Sequence, residues 1–302
     1  MEAFFTPLDF QPFFDRKHEF CSEAQTWLSE MAAFLTDGNP MLQPFFRQQL
    51  FPGIDLYQDS SIRRQPKTLL MSFAGFYMPL GLPTAVFLQM IATEHCDVLL
   101  LNDGSMRGYE MGIPGYANSY EALITKLKHD FDISRYQHLR LCGMSRGGYV
   151  SLRAAADLSP ISALSIGGGY PIALKGPTHL VDTLITQNID RLRQFDLPWY
   201  ALWQKIKLHK NLGLKNIRDS SVLRSSAFHT SEDPVESTIA GSTLINVYGE
   251  QSPYDTQGNV ALEKKFAQLK SYPIAGVTEH NLAYVLLKQK KLNLFLKHYL
   301  FS

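Results

Sequence analysis

The chain has 302 residues, 45% of them hydrophobic and 19% charged, with a formal net charge of +1. This is the composition of a globular protein long enough to bury a large core, and the near-zero charge excludes any general pull toward nucleic acid or an acidic membrane. Three cysteines, Cys21, Cys96 and Cys142, are an odd number without metal-ligand spacing; the expectation is no disulfide framework, no metal and a reducing, cytoplasmic setting.

The first residues, Met1-Glu2-Ala3-Phe4-Phe5, lack a basic leader and a cleavage site, so no signal peptide is expected. Residues 1–52 read as a helical extension: Phe20, Ala24, Trp27, Leu28, Met31 and Leu35 recur at helical spacing, and Gly38 is a suitable stop. Residues 53–58 alternate like a strand, and 67–74 form an apolar run bounded by Gly75, the pattern of a buried strand. The uncharged run 68–93 is long enough for a bilayer, but Pro79 and Pro83 interrupt it, so it is read as strand, loop and helix and no membrane span is expected. Residues 83–95 follow as a helix and 97–102 as a strand. Asn118 with Glu121 resembles a capping box, opening a helix with Leu123, Ile124, Leu127 and Phe131 on one side.

Residues 139–148, Leu-Arg-Leu-Cys-Gly-Met-Ser-Arg-Gly-Gly, run from an apolar strand into a helix-like segment. The pattern is G-x-S-x-G in a strand–turn–helix context, where Ser145 sits on a strained corner and Gly143 and Gly147 let strand and helix nearly touch. Residues 161–166 form another strand, ended by Gly167-Gly168-Gly169. The alternation from 67 to 167 predicts an α/β fold with a mostly parallel central sheet and helices on both faces. Sites in such sheets lie at the carboxyl ends of the strands, where Gly75, Asp103, Ser145 and Gly167 all fall. Between 170 and 241 the alternation stops and helical patterns dominate, which predicts a helical cap insertion. It then resumes, with strands at 243–248 and 272–275 and helices at 259–270 and 282–300. The expected organisation is therefore a helical extension over 1–52, a core over 53–169 and 242–302, and a cap over 170–241.

A serine nucleophile needs a base, an orienting acid and oxyanion donors. His280 lies just after the last expected strand and before the final helix, where a serine-first chain order places its histidine. Two carboxylates follow the 243–248 strand: Asp255, which a turn through Pro253 brings back toward the strand end, and Glu250, the alternative acid. The oxyanion candidates are the backbone N–H of Arg146 and that of Phe76, which follows Gly75.

On these residues the chain resembles the α/β-hydrolase superfamily over about residues 53–167 and 242–300. The resemblance implies a serine hydrolase fold with Ser145 as nucleophile, His280 as base, Phe76 and Arg146 as oxyanion donors, and no cofactor. Two positions depart from the pattern: the turn Phe73-Ala74-Gly75-Phe76 lacks the histidine many members carry before the glycine, and Ser252 stands where many carry the aspartate. The Gly-x-Ser-Arg-Gly-Gly form also resembles a subset linked to bacterial polysaccharide O-acetylation. Three functions are thus in view: hydrolysis of a carboxylic ester or thioester through an acyl-serine, transfer of the acyl group to a sugar hydroxyl, and non-catalytic binding on a hydrolase fold. The expected partner is a small-molecule or glycan ester. Lys205, Lys207, His209, Lys210, Lys215 and Arg218, with no acid among them, make an anionic ester one candidate and a solvated helix face the other reading.

Overall fold

The runs without charge become the middle of a sheet. In the computed structural model, residues 2–4, 15, 17–19, 25, 26, 29, 45–59, 68–75, 79–82, 84–103, 108–169 and 241–302 are described. The nine described strands are β1 (Glu2–Phe4), β2 (Phe45–Phe51), β3 (Ile54–Asp59), β4 (Thr68–Phe73), β5 (Cys96–Leu101), β6 (His138–Met144), β7 (Ser162–Ile166), β8 (Thr243–Gly249) and β9 (Lys270–Ile274). They form one sheet in the order β1-β2-β3-β5-β4-β6-β7-β8-β9. From β5 to β9 every pairing is parallel, and β1, β2, β3 and β5 pair antiparallel. The mostly parallel sheet read from the sequence is the sheet observed.

The described α-helices are α1 (Thr84–Ile91), α2 (Tyr120–Asp130), α3 (Arg146–Leu158), α4 (Pro253–Lys265), α5 (Leu282–Lys288) and α6 (Leu292–Tyr299). Alternate side chains of each central strand serve opposite faces. On one, Leu69, Met71, Phe73, Leu99, Leu141 and Ala163 pack with Leu123 and Leu127 of α2, Val150 and Ala154 of α3, and Leu262 of α4. The other parity includes Arg140 of β6, which donates to the carbonyl of Leu300 just past α6, and α6 in turn packs on α1. Helices therefore cover both faces, and β4 to β7 are buried almost throughout. Cys96 and Cys142 are buried free thiols. Burial pushes the Cys142 thiol up to about 12. Among the described residues no helix is long and apolar enough to cross a membrane.

Several elements differ from the sequence reading. Strands β1 and β2 lie within the stretch read as a helical extension. The segment Phe45-Phe46-Arg47-Gln48-Gln49-Leu50-Phe51 does not alternate, because β2 is largely exposed and its register with β3 shifts between Gln49 and Phe51. The expected helical stripe from Phe20 to Leu35 lies mostly outside the described residues. Helix α2 is capped by Ser119, whose side chain accepts from the Ala122 N–H, one residue later than the Asn118 box. Helix α4 starts at Pro253 under a Ser252 cap rather than at 259, an N-terminal proline signal present in the sequence. The expected single helix over 282–300 is two, α5 and α6, with Lys290 between them in the left-handed region at φ 56°. By its contacts the chain divides into two compact units: 1–6, 40–170 and 233–302, which holds the sheet, and 7–39 with 171–232. The expected cap over 170–241 lies outside the described residues apart from Gly241.

Candidate active site

The site is built at the carboxyl ends of β4, β6, β7 and β8, all within the sheet-bearing unit. At the end of β6 the chain turns from Met144 through Ser145 directly into α3. Ser145 holds φ 55° and ψ −122°, a sparsely populated conformation for a residue with a side chain. The glycines on either side explain how the corner closes. A side chain at Gly143 would overlap the Gly147 carbonyl, and one at Gly147 would overlap the carbonyl of Phe73 in β4. Strand and helix are thus in backbone contact, as the elbow pattern requires. Ser145 donates its N–H to the Ile166 carbonyl at 3.0 Å, tying the corner to the end of β7.

Arg146 is the first residue of α3, so its N–H belongs to the helix start beside the serine, at the positive end of the helix dipole. Gly75, just past β4, lies against the corner: a side chain there would begin 2.6 Å from the Met144 carbonyl oxygen and 3.7 Å from Ser145 Cβ. Phe76, the other oxyanion candidate, is outside the described residues. The end of β4 is held from behind by Tyr109, a residue the sequence did not flag. It is fully buried and sits at φ 65°. Its hydroxyl lies 2.6 Å from the Leu101 carbonyl and 3.0 Å from that of Ala74, and its N–H donates to Asp103 Oδ2 at 2.9 Å. Burial, reinforced by the Asp103 charge, raises its phenol well above the usual range.

His280 and Asp255 meet. His280 Nδ1 lies 2.5 Å from Asp255 Oδ1, with Asp255 fully buried and the His280 side chain 36% exposed. Asp255 is the third residue of α4, inside the turn capped by the Ser252 hydroxyl. Serine caps the helix, and the carboxylate stands three residues on, about one helical turn away, where the helix dipole favours a negative charge. Glu250 is exposed on the turn after β8. Its N–H donates to the Ile274 carbonyl and its carbonyl accepts from the Thr256 hydroxyl. The carboxylate against the imidazole is therefore that of Asp255.

One residue links histidine and serine. Gly167 follows Ile166, the partner of the Ser145 N–H. A side chain at Gly167 would begin 3.5 Å from His280 Cε1 and Nδ1 and 3.2 Å from its carbonyl oxygen. Gly167 takes φ 55° and leaves that space to the imidazole. Tyr254, also missed in the sequence, packs its ring on His280 with centroids 4.8 Å apart and planes at 82°. Burial raises its phenol, and the Arg146 guanidinium pulls it back down. Its adjacency to Asp255 in the first helical turn was the available signal. Among the described residues no cluster of His, Cys, Asp or Glu is arranged to hold a metal. The basic residues of 205–218 lie outside the described residues.

No family model matches the chain, and no curated protein does. Among solved structures it is similar to Est1E from Butyrivibrio proteoclasticus (12% identity, 84% of this chain and 98% of that one, TM-score 0.46). It is also similar to the capsule O-acetyltransferase of Neisseria meningitidis serogroup A (13%, 86% and 97%, TM-score 0.42). A third likeness is to S-formylglutathione hydrolase from Staphylococcus aureus (13%, 83% and 98%, TM-score 0.40). The chain's own strand order, with β5 and β4 exchanged about the parallel centre, and its glycine-flanked serine corner between β6 and α3 are those of the α/β-hydrolase fold.

Proposed function

We propose that this protein is a serine hydrolase that cleaves a carboxylic ester or thioester through an acyl-serine intermediate. The observation that carries the reading is the 2.5 Å contact between His280 and the buried Asp255, made beside the strained Ser145 corner. A carboxylate at Nδ1 requires the proton there, which leaves Nε2 as the basic nitrogen. In the proposed reaction Ser145 Oγ attacks the carbonyl carbon while its proton passes to His280 Nε2. Asp255 stabilises the imidazolium, and the Arg146 N–H takes the oxyanion together with a second amide, for which Phe76 is the candidate. Collapse breaks the bond to the alcohol or thiol, which leaves with the proton from His280. Water then adds to the acyl-serine, giving its proton to His280, and the acid departs as Ser145 regains its own. The test is a fluorophosphonate probe with mass-spectrometric mapping, alongside turnover of p-nitrophenyl acetate and an acetyl thioester. Labelling of Ser145, abolished in Ser145→Ala, with acid release is expected. Folded protein that is neither labelled nor active would instead be a non-catalytic binding protein.

A further inference from the structure

The imidazole of His280 has a specific mechanical problem. It is carried on the loop before α5, so no helix or strand ladder fixes its backbone. The last torsion of a histidine side chain is broad, without three sharp wells. The hydrogen bond from Nδ1 to Asp255 fixes one ring atom but leaves the plane free to swing about that bond. A swing changes where Nε2 points while the hydrogen bond stays intact. A general base must hold its nitrogen within hydrogen-bond reach of the proton it removes. Something other than Asp255 must set the plane.

Two neighbours are available. At Gly167 a side chain would begin 3.5 Å from Cε1 and Nδ1, so the glycine leaves that flank of the ring open. The Tyr254 ring meets the imidazole nearly perpendicularly, at 82° and 4.8 Å, within the separations that aromatic pairs favour. Tyr254 and Asp255 are consecutive residues of the first turn of α4, capped by Ser252 and started by Pro253. One helix start therefore supplies both the hydrogen bond and the aromatic contact.

The geometry points to Tyr254 as a positioning residue that acts through His280: its ring, and not its hydroxyl, sets the imidazole plane so that Nε2 faces Ser145. This rests on the hydrolase reading for its catalytic consequence, but the orientation of the ring is measurable without it. The phenol adds no proton to the reaction.

The test uses Tyr254→Phe and Tyr254→Ala in the full chain, with two readouts. The first is steady-state hydrolysis of p-nitrophenyl acetate. Tyr254→Phe is expected to keep kcat within about twofold, and Tyr254→Ala to lower kcat about tenfold with KM nearly unchanged, the scale of one lost aromatic pair. The second is carbon-13 NMR relaxation at His280 Cε1, which reads the amplitude of ring motion. The wild type and Tyr254→Phe should show a restrained ring, and Tyr254→Ala a ring that swings more widely with the Nδ1–H tautomer kept. A structural role alone would lower the melting temperature without loosening the ring or separating kcat from KM. Should Tyr254→Ala fail to fold, Tyr254→Leu is read in its place, with the same expected loss because a branched aliphatic group offers no flat edge. Equal loss in Tyr254→Phe and Tyr254→Ala assigns the effect to the hydroxyl and overturns the proposal. So does an alanine variant with unchanged kcat and unchanged ring relaxation. If the wild type neither labels nor turns over, the hydrolase reading fails, and the NMR comparison still decides whether Tyr254 orients the ring.

Discussion

Replacing Asp255 by Asn separates the charge of the acid from its shape. The side chain is fully buried and touches His280 Nδ1 at 2.5 Å, so asparagine fits the same space. In the proposed reaction, what changes is the energy of the imidazolium that forms as Ser145 gives up its proton. Two unit charges about 4 Å apart at an effective dielectric constant of about 20 attract by about 4 kcal/mol. The imidazole keeps 36% exposure, so solvent screens part of that attraction and leaves about 3 kcal/mol, or about 10²-fold in kcat. The amide can also donate to Nδ1 through its NH2 group, which moves the ring proton to Nε2 and removes the base altogether. That adds about a further tenfold, so the expected loss in kcat is about 10²–10³-fold, with KM and the melting temperature little changed. Glu250→Gln, on an exposed turn, should stay within about twofold. The assay is the rate of p-nitrophenyl acetate hydrolysis across pH 5 to 9 for wild type and both variants. Retention of a tenth or more of wild-type kcat in Asp255→Asn, or an equal loss in Glu250→Gln, would refute this account of the acid.

Gly147→Ala should destabilise the protein by about 2–3 kcal/mol and abolish activity, because the added carbon would overlap the Phe73 carbonyl; urea unfolding checks it, and near wild-type stability contradicts the close approach. Asp97 supplies a pH test. Burial raises its carboxyl, while the Tyr136 hydroxyl, a hydrogen bond from the Asp59 backbone and the Arg135 charge pull it back. A carboxyl raised in the folded state contributes stability below its unfolded value of about 3.9 and loses it as pH climbs through the folded value. Asp97→Asn keeps an acceptor for the Tyr136 hydroxyl, 2.8 Å away, so its stability relative to wild type should improve between pH 4 and pH 7; a constant or shrinking difference in urea midpoints would contradict the sign.

The sequence by itself determined what depends on neighbours a few residues away. The serine corner was legible because its condition, glycines two before and two after, is steric and local. The parallel sheet was legible because strands buried on both faces read as unbroken apolar runs, such as Leu69-Leu70-Met71 and Val98-Leu99-Leu100. The position of His280 followed from chain order. Strand β2 was not legible, since a largely exposed strand with a register shift carries no alternation. The break at Lys290 was not, because apolar spacing runs on either side of it. Only the tertiary structure decided which carboxylate meets the histidine. Asp255 and Glu250 lie on one short stretch, and their difference is whether the chain turns outward at the strand end or winds one helical turn back over it. Only tertiary packing could bring Tyr254 and Gly167 onto the His280 ring, because β7, α4 and the His280 loop are distant in sequence and adjacent only where parallel strands end together.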